Sequence, residues 1–243
     1  MKSLKEKIVV FSIILLFGIT RATATPSTII WIPSVDIQSY KTFHLGIDNY
    51  FTLFKKGIGE GGYAAPTNVG LTVGVLPFSA VQAEVGIDIL EPYNSPWLFN
   101  AKIGVPEDII AEWFPAVAVG VHSFGLKKNV NDINVLYGLI AKSLPVVGRL
   151  SFGYYTGNKN LLLDPNGNPD NSGILFSWDK QLSEINENLW LAVDYQGGKN
   201  IMGTFSFGFA WSFSKNVSVI FARNIYNNNA PSTFTTQLDI NIY

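Results

Sequence analysis

The chain has 243 residues, 47% of them hydrophobic and 14% aromatic, with only 14% charged, where a soluble domain usually carries about 25%. Its net charge of −1 leaves no basic excess for nucleic acid, and no block of like charges marks an interaction tail. The absence of cysteine excludes disulfides, thiolate metal sites and a lipidated anchor cysteine.

Lys2, Lys5 and Lys7 precede the apolar run from Ile8 to Ile19, and Ala22-Thr23-Ala24 follows it. This is the layout of a secretory signal peptide over residues 1–24, cleaved after Ala24. The run is shorter than the ~20 residues a spanning helix needs. No later apolar stretch is long enough either, so a mature chain that meets a membrane does so as strands. Residues 25–41, TPSTIIWIPSVDIQSYK, precede the first alternating segment. They fit a periplasmic extension, an extra strand or a plug, and the sequence does not choose among these.

From residue 42 to 243, apolar and small or polar residues alternate with period 2 in about twelve segments, within two either way. They lie near 42–54, 68–76, 80–90, 97–105, 115–124, 131–142, 147–157, 173–180, 188–196, 202–213, 216–224 and 233–242. GTFSFGFAWSFS is the sharpest: Phe205, Phe207, Phe209, Trp211 and Phe213 share one face, with Thr204, Ser206, Gly208, Ala210 and Ser212 on the other. Connections after odd-numbered segments are long, as in 55–68 and 158–172, while several after even-numbered ones are tight, as in 77–79 and 214–216. PEDIIAEWF (106–114) is a longer exception, where Pro106 followed by Glu107 and Asp108 is read as a helix start. A soluble β-sandwich also alternates, but its outer faces need charge, whereas the non-aromatic faces here carry glycine.

With this signal peptide, these alternating strands, aromatic residues near strand ends and an aromatic C-terminal strand, the chain resembles the outer-membrane β-barrel class of Gram-negative bacteria. The resemblance covers residues 42–243 and implies an all-β, antiparallel, up-and-down transmembrane barrel with long loops outside and short turns in the periplasm. It implies outer-membrane lipid, lipopolysaccharide and the barrel assembly machinery as partners. One departure is that Tyr243 falls in phase with Gln237, Asp239 and Asn241 rather than with Phe234, Leu238, Ile240 and Ile242.

Three motifs resolve into loops or walls. Gly57, Gly59 and Gly62 have the G-x-G-x-x-G spacing, but a strand follows where a nucleotide fold needs a helix. Asp164, Asn166, Asn168 and Asp170 have calcium-loop spacing, but Pro169 stands where glycine is required and Leu175 where a bidentate Glu belongs. His44 and His122 are the only histidines; His122 and Ser123 are adjacent, so a regular strand points them to opposite faces and a lipid hydrolase is disfavoured.

The remaining polar signal is spread along the non-apolar phase: Asp48, Glu84, Asp88, Lys102, His122, Asp132, Lys142, Arg149, Asp179 and Asp194. Facing a lumen, they either bias which solutes enter or form ion pairs that brace the barrel. The expectation is a passive channel for small polar solutes, with no catalysis, cofactor, metal or nucleic acid. The alternatives are a structural or interaction barrel with a plugged lumen and, behind it, an outer-membrane lipid hydrolase.

Overall fold

A computed structural model describes residues 27–54, 57 and 60–243 of the chain; the signal-peptide expectation for 1–24 lies outside the described residues. Twelve strands follow one another: β1 (Phe43–Phe51), β2 (Thr67–Gly74), β3 (Gln82–Glu91), β4 (Trp97–Val105), β5 (Ala116–Phe124), β6 (Val135–Leu144), β7 (Gly148–Thr156), β8 (Ser172–Gln181), β9 (Leu189–Gln196), β10 (Thr204–Ser214), β11 (Val217–Tyr226) and β12 (Thr233–Ile242). Each pairs antiparallel with its chain neighbours, and β1 pairs with β12 from Phe43↔Ile242 to Phe51↔Phe234, closing a barrel. Closure leaves no unpaired edge strand.

The alternation decides which face is which. Along β10, Phe205, Phe207 and Phe209 stand outside at 39%, 42% and 43% exposure, while Thr204 and Ser206 inside are fully buried. Val85, Phe99, Val119, Ile140, Phe152, Phe176 and Phe221 continue the exposed apolar belt around the outside. A contiguous apolar surface of this kind calls for a non-aqueous neighbour. No described helix is long and apolar enough to cross a membrane.

The strand starts of β1 and β7 and the end of β12 lie at one end, called here the termini end; the opposite loop end carries the connections 52–66, 125–134 and 157–171. At the termini end, β6–β7 and β10–β11 are joined by residues 145–147 and 215–216 alone. The 106–115 connection forms turns rather than the expected helix, because Asp108 takes a left-handed φ of 62°.

The inward glycines accommodate large side chains from the neighbouring strand. Gly120 pairs directly with Tyr137, and a Cβ on it would lie 2.5 Å from the phenol oxygen. Gly153 pairs with Leu139, whose Cδ2 would be 2.7 Å from such a Cβ. Gly70 pairs with Asp88 in the same way, with Asp88 Oδ1 2.5 Å from the added carbon.

That complementarity also corrects the expected phase of β6. Val135, Tyr137, Leu139 and Ala141 point inward and are buried, which turns Leu136, Gly138, Ile140 and Lys142 outward. Both faces of VLYGLIAK are apolar, so alternation alone does not orient this strand. Its register against Gly120 and Gly153 does.

Candidate functional site: the lumen and the segment inside it

Residues 27–41 run through the barrel interior, bonded to side chains of β3, β4, β7, β9 and β12. Only a segment inside the wall reaches all of these strands. Thr28 bridges Pro33, Ile29 N–H donates to Ile32 O at 2.9 Å, and Ser34 N–H to Ser27 O at 3.2 Å. The chain thus doubles back in a tight turn with Ile30 and Trp31 at its apex.

Asp194 holds that apex. Its Oδ2 accepts the consecutive backbone N–H groups of Ile30 (2.8 Å), Trp31 (2.7 Å) and Ile32 (3.3 Å). Converging N–H groups make a concave anion seat, and here the anion comes from the wall. Gln237 Nε2 donates to Ile30 O at 2.8 Å, so the turn is held through both its donors and an acceptor. The Trp31 ring stands edge-on to Tyr50 and Tyr226, at centroid distances of 5.4 and 5.7 Å, and its Nε1–H donates to Met202 O at 2.8 Å. Both tyrosines sit near the loop ends of their strands, so the apex reaches well towards that end.

Ionic contacts hold the descending limb. Lys102 lies 3.1 Å from Glu84 and donates to Ser34 O at 3.3 Å. Glu84 Oε2 in turn accepts Gln38 N–H at 2.7 Å. Arg149 Nη1 reaches both oxygens of Asp36 (2.8 and 2.7 Å), while its Nε donates to Asp179 Oδ1 at 3.0 Å. Trp190 Nε1–H donates to the other Asp179 oxygen at 3.2 Å. Lys41 N–H donates to Gly74 O at 2.9 Å, and the chain passes straight into β1.

The two ends of the lumen differ in consequence. Near the termini end every strand contributes a buried inward residue, from His44 on β1 and Thr72 on β2 round to Asp239 on β12. Towards the loop end, Gly46, Asp48, Asn68, Asp88, Asn100 and His122 on the β1–β5 wall are only partly buried. Towards the loops the β1–β5 wall is therefore polar and less tightly covered, a region called here the vestibule, while the segment and the apolar faces of β5–β11 fill the rest of the interior.

Within this frame, seven of the ten sequence-derived lumen residues other than His122, Asp132 and Lys142 line the interior as acids or bases. Asp194, Glu84, Lys102, Arg149 and Asp179 grip the segment or one another. Asp48 and Asp88 face the vestibule and are bridged by Asn68 Nδ2 (3.4 and 3.3 Å), with Asn100 Nδ2 2.8 Å from Asp88. No described Lys or Arg lies within ion-pair distance of either.

His122 points inward beside Tyr137, ring centroids 5.7 Å apart. The β4–β5 register shifts between Phe99 and Ala101, and Ser123 takes a φ of 51°. This bulge brings Ser123 Oγ to 3.0 Å from His122 Nδ1, a contact that a regular strand forbids.

Two residues fall elsewhere. Asp132 sits in the 125–134 connection, where its carboxylate accepts Asn129 N–H at 2.6 Å. Lys142 faces outward at the termini end, paired with Glu107 (2.9 Å) and Asp108 (2.6 Å).

The residues missing from the sequence reading of the site are Asp36, Gln38, Trp31, Gln237 and the His44–Asp239 pair, 3.3 Å apart. Gln237 and Asp239 were legible in the inward phase of β12. Asp36 and Trp31 had no periodicity to place them.

A solved structure of the KdgM porin superposes with a TM-score of 0.53 at 5% identity, covering 82% of this chain and 98% of that one. The chain has the fold of a porin-type barrel. The KdgM porin in complex with disordered oligogalacturonate gives 0.52 at 5% identity, with 83% and 99% covered. An outer-membrane channel from Pseudomonas putida F1 gives 0.48 at 9% identity, with 85% and 97% covered. No family model and no curated protein matches the chain. At these identities the likeness of the porin-type barrel to its neighbours is one of fold.

Proposed function

We propose that the chain is an integral outer-membrane barrel whose lumen is a passive path for small polar solutes, closed at the termini end by residues 27–41. One observation carries the reading: besides burying Ile29, Ile30, Ile32 and Val35 in the apolar part of the interior, the segment is seated by discrete polar contacts to Asp194, Lys102, Glu84 and Arg149. Hydrogen bonds of this kind are worth roughly 1.5–3 kcal/mol each when one partner is charged, so removing one wall residue weakens the seat by a measurable step. A twelve-stranded bore lies between side-chain-filled small barrels and open porins, and a lumen of that width closed by a peptide suits a channel that opens. Outer-membrane lipid, lipopolysaccharide and the assembly machinery are the partners this location brings, with Thr25 as the mature N-terminus.

The polyanion bound by the KdgM porin is not carried over. Asp48 and Asp88 of the vestibule have no Lys or Arg within ion-pair distance among the described residues, and they offer an oligomer of uronates no cationic seat. The His122–Ser123 contact is the one geometry that favours a hydrolase; we read it as a product of the bulge, and unchanged lipid cleavage in His122→Ala agrees with that reading.

The test is planar-bilayer recording of refolded chain from Thr25 onward, beside a variant lacking residues 27–38 and an Asp194→Ala variant. The expected result is a rarely open full chain, a persistently conducting deletion and an intermediate Asp194→Ala. A silent full chain and a silent Asp194→Ala beside a conducting deletion support the permanently plugged structural barrel instead, and silence from all three overturns the channel. That second reading rests on Ile29, Ile30 and Ile32, which are as buried as any core residue.

A further inference from the structure

The five Lys and Arg residues within the strands divide by face. Lys102 and Arg149 point inward and are paired. Lys142, Lys180 and Arg223 point outward, among the apolar side chains of the belt. An outward cation on a membrane barrel is destabilising to a degree that depends on its depth, and most so when it has no counter-charge. The chain supplies that counter-charge twice. Lys142 pairs with Glu107 and Asp108, and Lys180 with Glu184, all at the termini end.

Arg223 is the exception. It lies three residues from the loop end of β11, flanked across the wall by Phe207 and Phe234. Its guanidinium stands 5.8 Å from the Phe234 ring centroid, and among the described residues no carboxylate pairs with it. In front of it opens a cleft of about 550 Å³, lined by Thr52, Phe54, Pro231, Ser232 and Phe234 as well as Arg223. A cation, a neighbouring hydroxyl on Ser232 and apolar walls form a site for a group that is anionic at one end and greasy at the other.

We propose that Arg223 binds the phosphate of an anionic lipid head group at the loop-end rim, with the acyl chains lying along the belt past Phe207 and Phe234. The planar guanidinium fork suits phosphate oxygens, and the rim is where a bilayer places phosphates. The inference rests on the reading of the chain as a membrane barrel. It adds a specific lipid site, whose ligand takes the place that Glu184 or Asp108 holds for the other outward cations.

The experiment is native mass spectrometry of the refolded full barrel in detergent, titrated separately with phosphatidylglycerol, phosphatidylcholine and inorganic phosphate. The expected result is retention of phosphatidylglycerol adducts over phosphatidylcholine, a loss of roughly tenfold in Arg223→Gln, partial retention in Arg223→Lys, and no competition by inorganic phosphate. Heat-dependent gel mobility reports whether each variant is folded. If Arg223→Gln does not fold, Ser232→Asp sets a carboxylate in the cleft and is expected to abolish the adducts equally. Equal adducts in wild type and variants overturn the site, as does equal retention of the two lipids. Full competition by inorganic phosphate overturns the assignment to a lipid. A chain that stays soluble without detergent overturns the membrane reading and this site with it, whereas insertion without lipid preference overturns the site alone.

Discussion

Arg149 on β7 holds Asp36 of the inner segment with Nη1 and Asp179 of β8 with Nε, so one guanidinium joins the barrel wall to the peptide inside it. The two acids are not equivalent, because Asp179 is buried in the wall while Asp36 lies on the inner segment and is partly exposed. Asp36→Ala is expected to loosen the descending limb of the segment and leave the wall intact, since Arg149 keeps Asp179. Arg149→Ala strands a buried carboxylate and is expected to cost about 3–5 kcal/mol. Limited proteolysis within 27–41 and urea unfolding in detergent separate the outcomes: both variants expose the segment, and only Arg149→Ala lowers the unfolding midpoint strongly.

The vestibule carries uncompensated Asp48 and Asp88. Once the segment is deleted, current is expected to favour cations, because a narrow, low-dielectric lumen magnifies fixed charge. Asp48→Asn with Asp88→Asn is expected to bring the reversal potential in a potassium chloride gradient close to zero. A reversal potential unchanged by the double substitution places the selecting charge elsewhere.

Tyr137 and Leu139 occupy space that Gly120 and Gly153 leave open. Gly120→Val and Gly153→Val each overpack the wall and are expected to cost about 1–3 kcal/mol. Gly46→Ala is the control: the one atom near its missing Cβ is His44 Nε2 at 3.7 Å, so stability is expected to hold. Thermal unfolding followed by gel mobility ranks the three.

Backbone and side-chain N–H groups of Asn168, with further donation from Asn166, converge on the Asp164 carboxylate and hold it below the usual aspartate range. A depressed carboxyl stabilises the turn at every pH above its unfolded value, and that contribution disappears as pH falls through the lower, folded value. The 158–171 connection is therefore expected to keep its order at pH values where an ordinary aspartate has already protonated, and to loosen on further acidification. The carboxyl carbon shift of Asp164 followed by NMR against pH tests this. The same saturation predicts no ordering on adding calcium, despite the ligand-like spacing.

The barrel was legible because its walls obey a strict period. Every strand of the closed sheet corresponds to an alternating run, and the clean contrast in TFSFGFAWSFS or TQLDINI orients β10 and β12 without further information. In β6 the contrast vanishes, and its direction is set by Tyr137 meeting Gly120 on another strand, a pairing that no local pattern contains. The inner segment was unreadable for a related reason. Residues 27–41 alternate with nothing, and their partners Glu84, Lys102, Arg149, Asp194 and Gln237 come from five strands scattered over more than half the chain. Ser123 shows the limit of assuming a regular strand, since one left-handed residue undoes the parity on which the separation of His122 and Ser123 rests.

The segment passes directly into the first strand, with Lys41 and Thr42 the last residues before β1. A stopper attached in this way cannot diffuse off when it leaves its seat; it stays at an effective concentration set by a few residues of tether. In the channel proposed above, reclosure is then a unimolecular event, with an open lifetime fixed by the chain itself and indifferent to how many barrels share the membrane.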